Sequence, residues 1–304
     1  MRVSSAPETL RRIPRNARVF SYDAAHEPVA RVQPGVSILV ETQNAFGDSR
    51  LGPGDTLADL DLSVCDPLTG PLFVEGAEPG DTLVVHIEHI ELVGSGAQGI
   101  IPDFGAIEWD SLPLHFFTPE NGKLKWLRGI EFEIRPNLGC MGVAPREGSE
   151  PSITPGDYGG NQDTKYVCAG SAVHFPVFHP GALLFMGDCH QIQGDGELCG
   201  VAPETDAEVT LHCEVLKGRT IRRPRIVARD RVMNLASADT LEESVKLAVR
   251  DAVDLLVEEK GLTPDEAYLL ITVKADIEIC QVVDPRMTVR VAMDRDFYET
   301  LDPS

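Results

Sequence analysis

Apolar runs in this chain are short, and glycine or proline interrupts them almost everywhere, with 27 glycines and 22 prolines among 304 residues. That punctuation excludes long core helices over most of the chain and favours strands joined by turns. Residues 29–32, 37–41 and 82–91 read as strands, the last alternating in part as a half-buried strand does. Residues 94–99 read as a glycine-rich loop. Residues 109–117 and 123–134 are expected to form a hairpin across Pro119-Glu120-Asn121-Gly122, because Asn-Gly favours tight reversals. Residues 182–186 are apolar throughout, as in a strand buried on both faces, and 209–215 read as another strand.

The pattern then changes. Asp239 or Thr240 can cap a helix, with Glu243 placed to complete a capping box. Leu241, Val245, Ala248, Ala252 and Leu255 recur at helical spacing until Gly261. Thr263-Pro264-Asp265-Glu266 opens a second helix, proline being favoured in the first turn. Residues 277–283 close the region as a strand. The expected fold is therefore mixed and β-rich: a sandwich- or barrel-like core of mostly antiparallel strands, with a C-terminal helix pair covering one sheet face. We expect one domain over 1–304, with sub-lobes 1–135 and 136–304.

Residues 155–204 carry the chemistry. Asn161, Asp163, Asp188, His190, Asp195 and Glu197 crowd into glycine-broken turns on either side of the apolar strand. Alternation along that strand sends Asp188 and His190 to one side and Cys189 to the other, so Cys189 reads as core. Gly194-Asp195-Gly196 supplies a reversal that carries Glu197 back towards them. Residues 147–160 form a long polar loop feeding into Asn161, and loops of that length are often functional. Carboxylate, imidazole and carboxamide are ligands for a divalent cation such as zinc, manganese or calcium. The bland alternative is that Gly-Asp-Gly and Gly-Gly-Asn are simply turns.

The same residues resemble the acetamidase/formamidase family. The resemblance rests on T-P-G-x-x-G-G-N-x-D-T-K at 154–165, G-A-L-L-F-x-G-D-x-H at 181–190 and Q-G-D-G-E at 193–197. Weaker echoes stand at 27–32, 40–42, 70–83, 138–145 and 280–285, so nearly the whole chain is covered. The resemblance implies a β-rich fold, hydrolysis of short aliphatic amides such as formamide to carboxylate and ammonia, and a bound divalent metal, zinc before calcium or manganese. It also implies a homo-oligomer and points to Glu41, Asn44 and Gly160 as substrate contacts. Two departures stand out. The family pattern E-T-x-D is here Glu41-Thr42-Gln43-Asn44, and a His-aromatic start is here Val19-Phe20.

In the reading that follows, Asp188 and His190 bind the metal, Asn161 or Asp163 completes the shell, Glu197 is the general base, and Asp195 is structural. Asp188 and His190 thus count among the catalytic residues with Glu197. A hydrolase of another linear or cyclic amide or carbamate, and a non-catalytic metal-binding homologue, remain open. A metal-free serine or cysteine amidase is disfavoured, because no G-x-S-x-G elbow is present and Gly170-Ser171-Ala172 lacks its context.

A net charge of −21 argues against nucleic acid as a partner. The one basic cluster, at 217–225, reads as a solvated rim. Acidity also suits a neutral amide entering and a carboxylate leaving. Seven scattered cysteines without a C-x-x-C pair, no apolar signal core at the N-terminus and no run long enough to span a bilayer lead us to expect a cytoplasmic protein without membrane contact.

Overall fold

The computed structural model describes residues 10–49 and 51–301. Sixteen strands join in one branched sheet. Pairing is antiparallel except where Arg11–Ile13 meets Ile38–Thr42 and Ala30–Val32 meets Leu68–Val74. Two long strands, Thr82–Gln98 and Glu204–Leu216, run side by side from Glu204↔Ala97 to Leu216↔Thr82 and form the spine. The apolar run at 182–186 becomes the strand Leu184–His190. It pairs with Asn137–Gly142 on one side and with parts of Leu68–Val74 and Glu204–Leu216 on the other. Every residue of that strand is buried, which is why its sequence is apolar without alternation until Asp188.

The C-terminal layer follows its local signals. Helix α1, Leu241–Lys260, is capped by Thr240, whose hydroxyl accepts from Glu243 N at 3.2 Å, and it ends at Gly261 with φ 68°. Helix α2, Pro264–Lys274, begins with a full capping box between Thr263 and Glu266. Ala248 and Ala252 let α1 lie close on Arg231–Ala238 and Met287–Asp294, against Ala236, Val289 and Val291. Leu255, Leu256, Ala267 and Ile271 fill the seam between the two helices. A short third helix, Arg295–Thr300, adds Tyr298 to that seam. The fold is thus β-rich with C-terminal helices, and among the described residues no helix is long and apolar enough to cross a membrane.

Three local expectations are corrected. The Asn121-Gly122 reversal forms, with both φ values positive and Glu120 and Lys123 exchanging backbone bonds of 2.8 and 3.0 Å. Its flanks diverge, however. His115–Phe117 pairs with Gly96–Gln98, while Lys123–Lys125 pairs with Glu131–Glu133, because each finds a better partner than the other. Residues 94–99 are not a loop: the strand runs through them to Gln98, and the side chain of Gln191 lies where a Cβ at Gly96 would stand. The segment 147–160 holds a short strand, Ser149–Pro151, paired with Ser21–Asp23.

Candidate metal centre and active site

One small cavity, of about 40 Å³, opens where the Leu184–His190 strand ends. Its floor is formed by Asp66, Asn161, Asp163, Asp188, His190, Glu197, Glu204 and Asp284, and among the described residues no lysine or arginine lines it. Its walls and mouth are apolar: Phe46, Leu60, Leu62, Ile101, Phe104 and Ile153.

Backbone geometry shows how the acids are aimed. Asp66, Asp163, Asp188 and Glu197 all have left-handed φ, between 41 and 54°. Such non-glycine conformations each cost about 1–3 kcal/mol and persist where the surroundings enforce them. At Asp188 the surroundings are clear. Gly187 is pressed against the carbonyl of Pro67, leaving no room for a side chain. Left-handed at the next residue, the strand places the Asp188 carboxylate in the cavity beside His190, while Cys189 belongs to the main core. Gly139 faces them across the sheet. A Cβ on it would overlap Asp188 Oδ2 and Asp163 Oδ1, so the absent side chain is what makes room for both carboxylates.

His190 is the hub. Its Nε2 lies 3.2 Å from Asp188 Oδ2, 3.3 Å from Glu204 Oε2, 3.8 Å from Glu197 Oε1 and 3.9 Å from Asp163 Oδ1. Its other nitrogen, Nδ1, lies 3.2 Å from Gln193 Oε1. The Gln193 amide is oriented by its own bonds: Nε2 donates to the Asp163 carbonyl at 2.8 Å, and Asn137 Nδ2 donates to Oε1 at 2.7 Å. Gln193 Oε1 is therefore an acceptor. Nδ1 carries a hydrogen, and in the cluster by itself so does Nε2: burial opposes the charged ring, but Asp188 and Glu204 prevail and hold the imidazole well above its usual range, so Nε2 is the position at which a cation would replace a proton.

Electrostatics make this cluster unstable by itself. Burial, reinforced by Asp188, pushes the Asp163 carboxyl up to about 6. Burial together with neighbouring carboxylates drives Asp66, Glu197, Glu204 and Asp284 well above the ordinary range. Asp188 alone is held low. Burial opposes its ionisation, but the charge and hydrogen bond of His190 prevail. Asp163 Oδ1, Glu204 Oε2 and Asp284 Oδ2 are buried without any hydrogen-bond partner. Orphaned buried oxygens of this kind are what a cation would satisfy. Two groups have the right closeness, with donor atoms within 4.8 Å of one another: Asp188, His190 and Glu204, and Asp163, His190 and Glu197. Oxygen donors about one imidazole fit zinc, manganese or calcium.

The cavity thus gathers Asp163, Asp188, His190 and Glu197. Asn161 stands in its wall with its amide engaged: Nδ2 donates to Asp284 Oδ1 at 3.3 Å, and Oδ1 accepts from the Cys140 thiol at 3.0 Å. Three proposed contacts lie elsewhere. The Glu41 carboxylate faces outward and is bound by Arg12 and Arg15. Asn44 donates from Nδ2 to Asp206 Oδ1 at 2.8 Å, which explains the departure from the family pattern, since an aspartate there would confront another carboxylate. Its neighbours Ala45 and Phe46, not Asn44, line the cavity. Gly160, at φ 92°, is a packing glycine whose Cβ would strike the Thr154 carbonyl. Asp195 ties Lys165 to Arg290 at 2.7 and 2.6 Å, outside the cavity.

Asp66, Glu204 and Asp284 escape the sequence reading. Asp66 and Asp284 each precede a proline, and Asp284 falls inside the weak echo at 280–285, which is the only local signal either carries. Glu204 opens the long strand Glu204–Leu216 and carries no signal of its own. Only its pairing with His190 places it.

Fold and pocket together define a class: a β-rich protein with a buried cluster of carboxylates about one imidazole that could hold a metal ion. Residues 21–148 and 143–300 match the profile of the acetamidase/formamidase family, and the chain belongs to that family. The acetamidase of Mycolicibacterium smegmatis is 28% identical over 265 residues, covering 62% of this chain and 63% of that protein. The formamidase of Methylophilus methylotrophus is 27% identical over 263 residues, covering 64% of each. This chain therefore spans less than two thirds of the length of either relative. The crystal structure of an acetamidase from Bacillus halodurans superposes with a TM-score of 0.91 at 32% identity, over 95% of this chain and 99% of that one.

Proposed function

We propose that the cavity hydrolyses a short, uncharged linear amide to its carboxylate and ammonia, with a divalent cation, zinc in the first place, held by Asp188, His190 and Glu204. The observation that carries this is the cavity floor: six buried carboxyl groups about one imidazole, with no lysine or arginine among the described residues that line it. When bound, the cation supplies a lowered pKa for water and polarisation of the amide carbonyl. Gln193, accepting from His190 Nδ1, keeps Nε2 turned into the site. Asp188, ionised beside His190, is the first anionic donor.

Glu197 is the base. Its carboxyl lies 3.8 Å from His190 Nε2, and burial followed by the charge of Asp163 raises its proton affinity, which suits a group that must take a proton from water and return it to the departing nitrogen. Asp163 stands beside it as the neighbour that keeps that affinity high. Phe46, Ile101 and Phe104 exclude bulk water at the mouth. At about 40 Å³ the cavity admits only a few water-sized groups at roughly 10–15 Å³ each, so the amide is of formamide or acetamide size.

The test is ammonia release from formamide, acetamide and propionamide by chelator-treated protein, with zinc, manganese or calcium then restored. Turnover that vanishes with the chelator and returns with one cation is expected, falling off at propionamide. Turnover that survives complete metal removal ends this reading. Silence on all three amides moves the substrate to another amide or carbamate.

A further inference from the structure

The cavity mouth is built from two kinds of wall. Phe46, Ile101 and Val201 pack with Leu57, Ala97 and Leu114 in a buried apolar cluster, so the core fixes them. Phe104, half-buried, is held by the segment it stands on. Phe104 N donates to the Ile101 carbonyl at 3.2 Å across a turn, and Ala106 N donates to the Leu198 carbonyl at 2.9 Å. Two glycines let these segments close up. A Cβ on Gly105 would stand 3.1 Å from the Leu198 carbonyl oxygen, and one on Gly200 would stand 2.6 Å from Phe104 Cδ1. Gly200, at φ 75°, donates in turn to the Glu197 carbonyl at 2.7 Å. The Phe104 ring therefore lies on the loop that carries Glu197 into the cavity.

We propose that Phe104 decides which nitrogen the site accepts, admitting an unsubstituted amide and refusing an N-alkyl one. The proposal rests on the amidase reading above, with Glu197 as the group that returns a proton to the departing nitrogen. Proton return requires that nitrogen within hydrogen-bond reach of the Glu197 carboxyl. The amide nitrogen is thus turned to the Glu197 side of the cavity, where Phe104 covers the loop. The acyl group, across the carbonyl carbon from the nitrogen, is turned away from that ring.

Volume alone does not make this distinction. Acetamide and N-methylformamide are isomers, so a cavity of about 40 Å³ that takes one has volume for the other. What differs is where the methyl group points: at the acyl end in acetamide, and past the nitrogen, at the Phe104 ring, in N-methylformamide. The chemistry is the same for both. Water oxygen bonds to the carbonyl carbon, the C–N bond breaks with its electron pair on nitrogen, and Glu197 passes that nitrogen the proton taken from water. The carboxylic acid so formed then yields its proton to the amine. N-methylformamide gives formate and methylammonium, where acetamide gives acetate and ammonium.

The experiment measures kcat/KM of the zinc-loaded full chain on formamide, acetamide, propionamide and N-methylformamide, reading release of ammonia or methylamine. Wild type is expected to favour acetamide over N-methylformamide. Phe104→Ala should raise the ratio of N-methylformamide to acetamide roughly 10–200-fold, the range that one carbon commands in an apolar pocket. Phe104→Leu, which keeps an apolar cover on Gly200, should give a smaller rise in the same direction. Ile107→Ala, on the same segment but outside the cavity lining, should leave the ratio where it was. Three results overturn the proposal while the amidase reading stands: wild type that turns over the two isomers equally, folded Phe104 variants with the ratio unmoved, or a rise for propionamide alone. A wild type silent on every amide ends the amidase reading, and this proposal with it.

Discussion

In the C-terminal layer Ala248, Ala252, Leu255 and Leu256 sit in regular helix, packed on apolar strands, with both helix N-termini capped. At the cavity Asp66, Asp163, Asp188 and Glu197 sit in left-handed backbone, buried among like charges, with several oxygens unpartnered. In the first region every local choice agrees with the global packing. In the second nearly every local choice opposes it, and the surrounding sheet holds the acids in place. Regions of the second kind are expected where a protein acts and not where it gains stability. Arg290 couples the two, since it is buried between Glu278 of the edge strand Ala275–Gln281 and Asp195 of the loop before Glu197, with Thr164 beside Asp163 as a third partner.

The contrast can be broken most directly at Glu204. Glu204→Gln should lower ammonia release by roughly 10²–10⁴-fold, while the melting temperature of metal-free protein rises or holds, because an acid that burial and Asp188 hold well above its ordinary range is gone. A melting temperature several degrees lower would make the cavity an ordinary part of the core. Leu256→Ala tests the other region. Urea unfolding should show a loss of about 2–5 kcal/mol, with cation affinity and turnover of the folded fraction unchanged.

Gly139→Ala comes next in size. Its methyl group competes with Asp163 and Asp188 for space, so calorimetric titration should show cation affinity reduced roughly 10–100-fold. Unaltered affinity there would mean that the two carboxylates are not jointly engaged. Thr240→Ala removes a single cap bond and should cost about 1 kcal/mol with no effect at the site.

A further effect concerns pH. Burial, helped by the charge of Arg225, pushes the His174 imidazole down to about 4 from an ordinary 6.5. The folded value is the lower one, so His174 contributes stability above about pH 6.5 and loses it as pH falls towards 4. His174→Gln should flatten the fall in melting temperature over that window. A slope equal to that of wild type would remove His174 from the account.

Much was legible before any coordinates. Thr240, Gly261, Thr263 and Glu266 act on backbone groups a few residues away, so the helices and their ends could be read locally. The blocks at 154–165, 181–190 and 193–197 likewise announced Asp163, Asp188, His190 and Glu197, along with the family. What no local pattern contained was the company these residues keep. Glu204 reaches His190 by strand pairing, Asp66 arrives from a turn before the Leu68–Val74 strand, and Asp284 follows the edge strand Ala275–Gln281. The same long-range register carries Glu41 to Arg12 and Asn44 to Asp206, away from the cavity. Helix caps and apolar spacing are short-range interactions that a sequence states outright. A buried cluster of like charges exists only where distant strands force it together, and only the tertiary structure decides which charges those are.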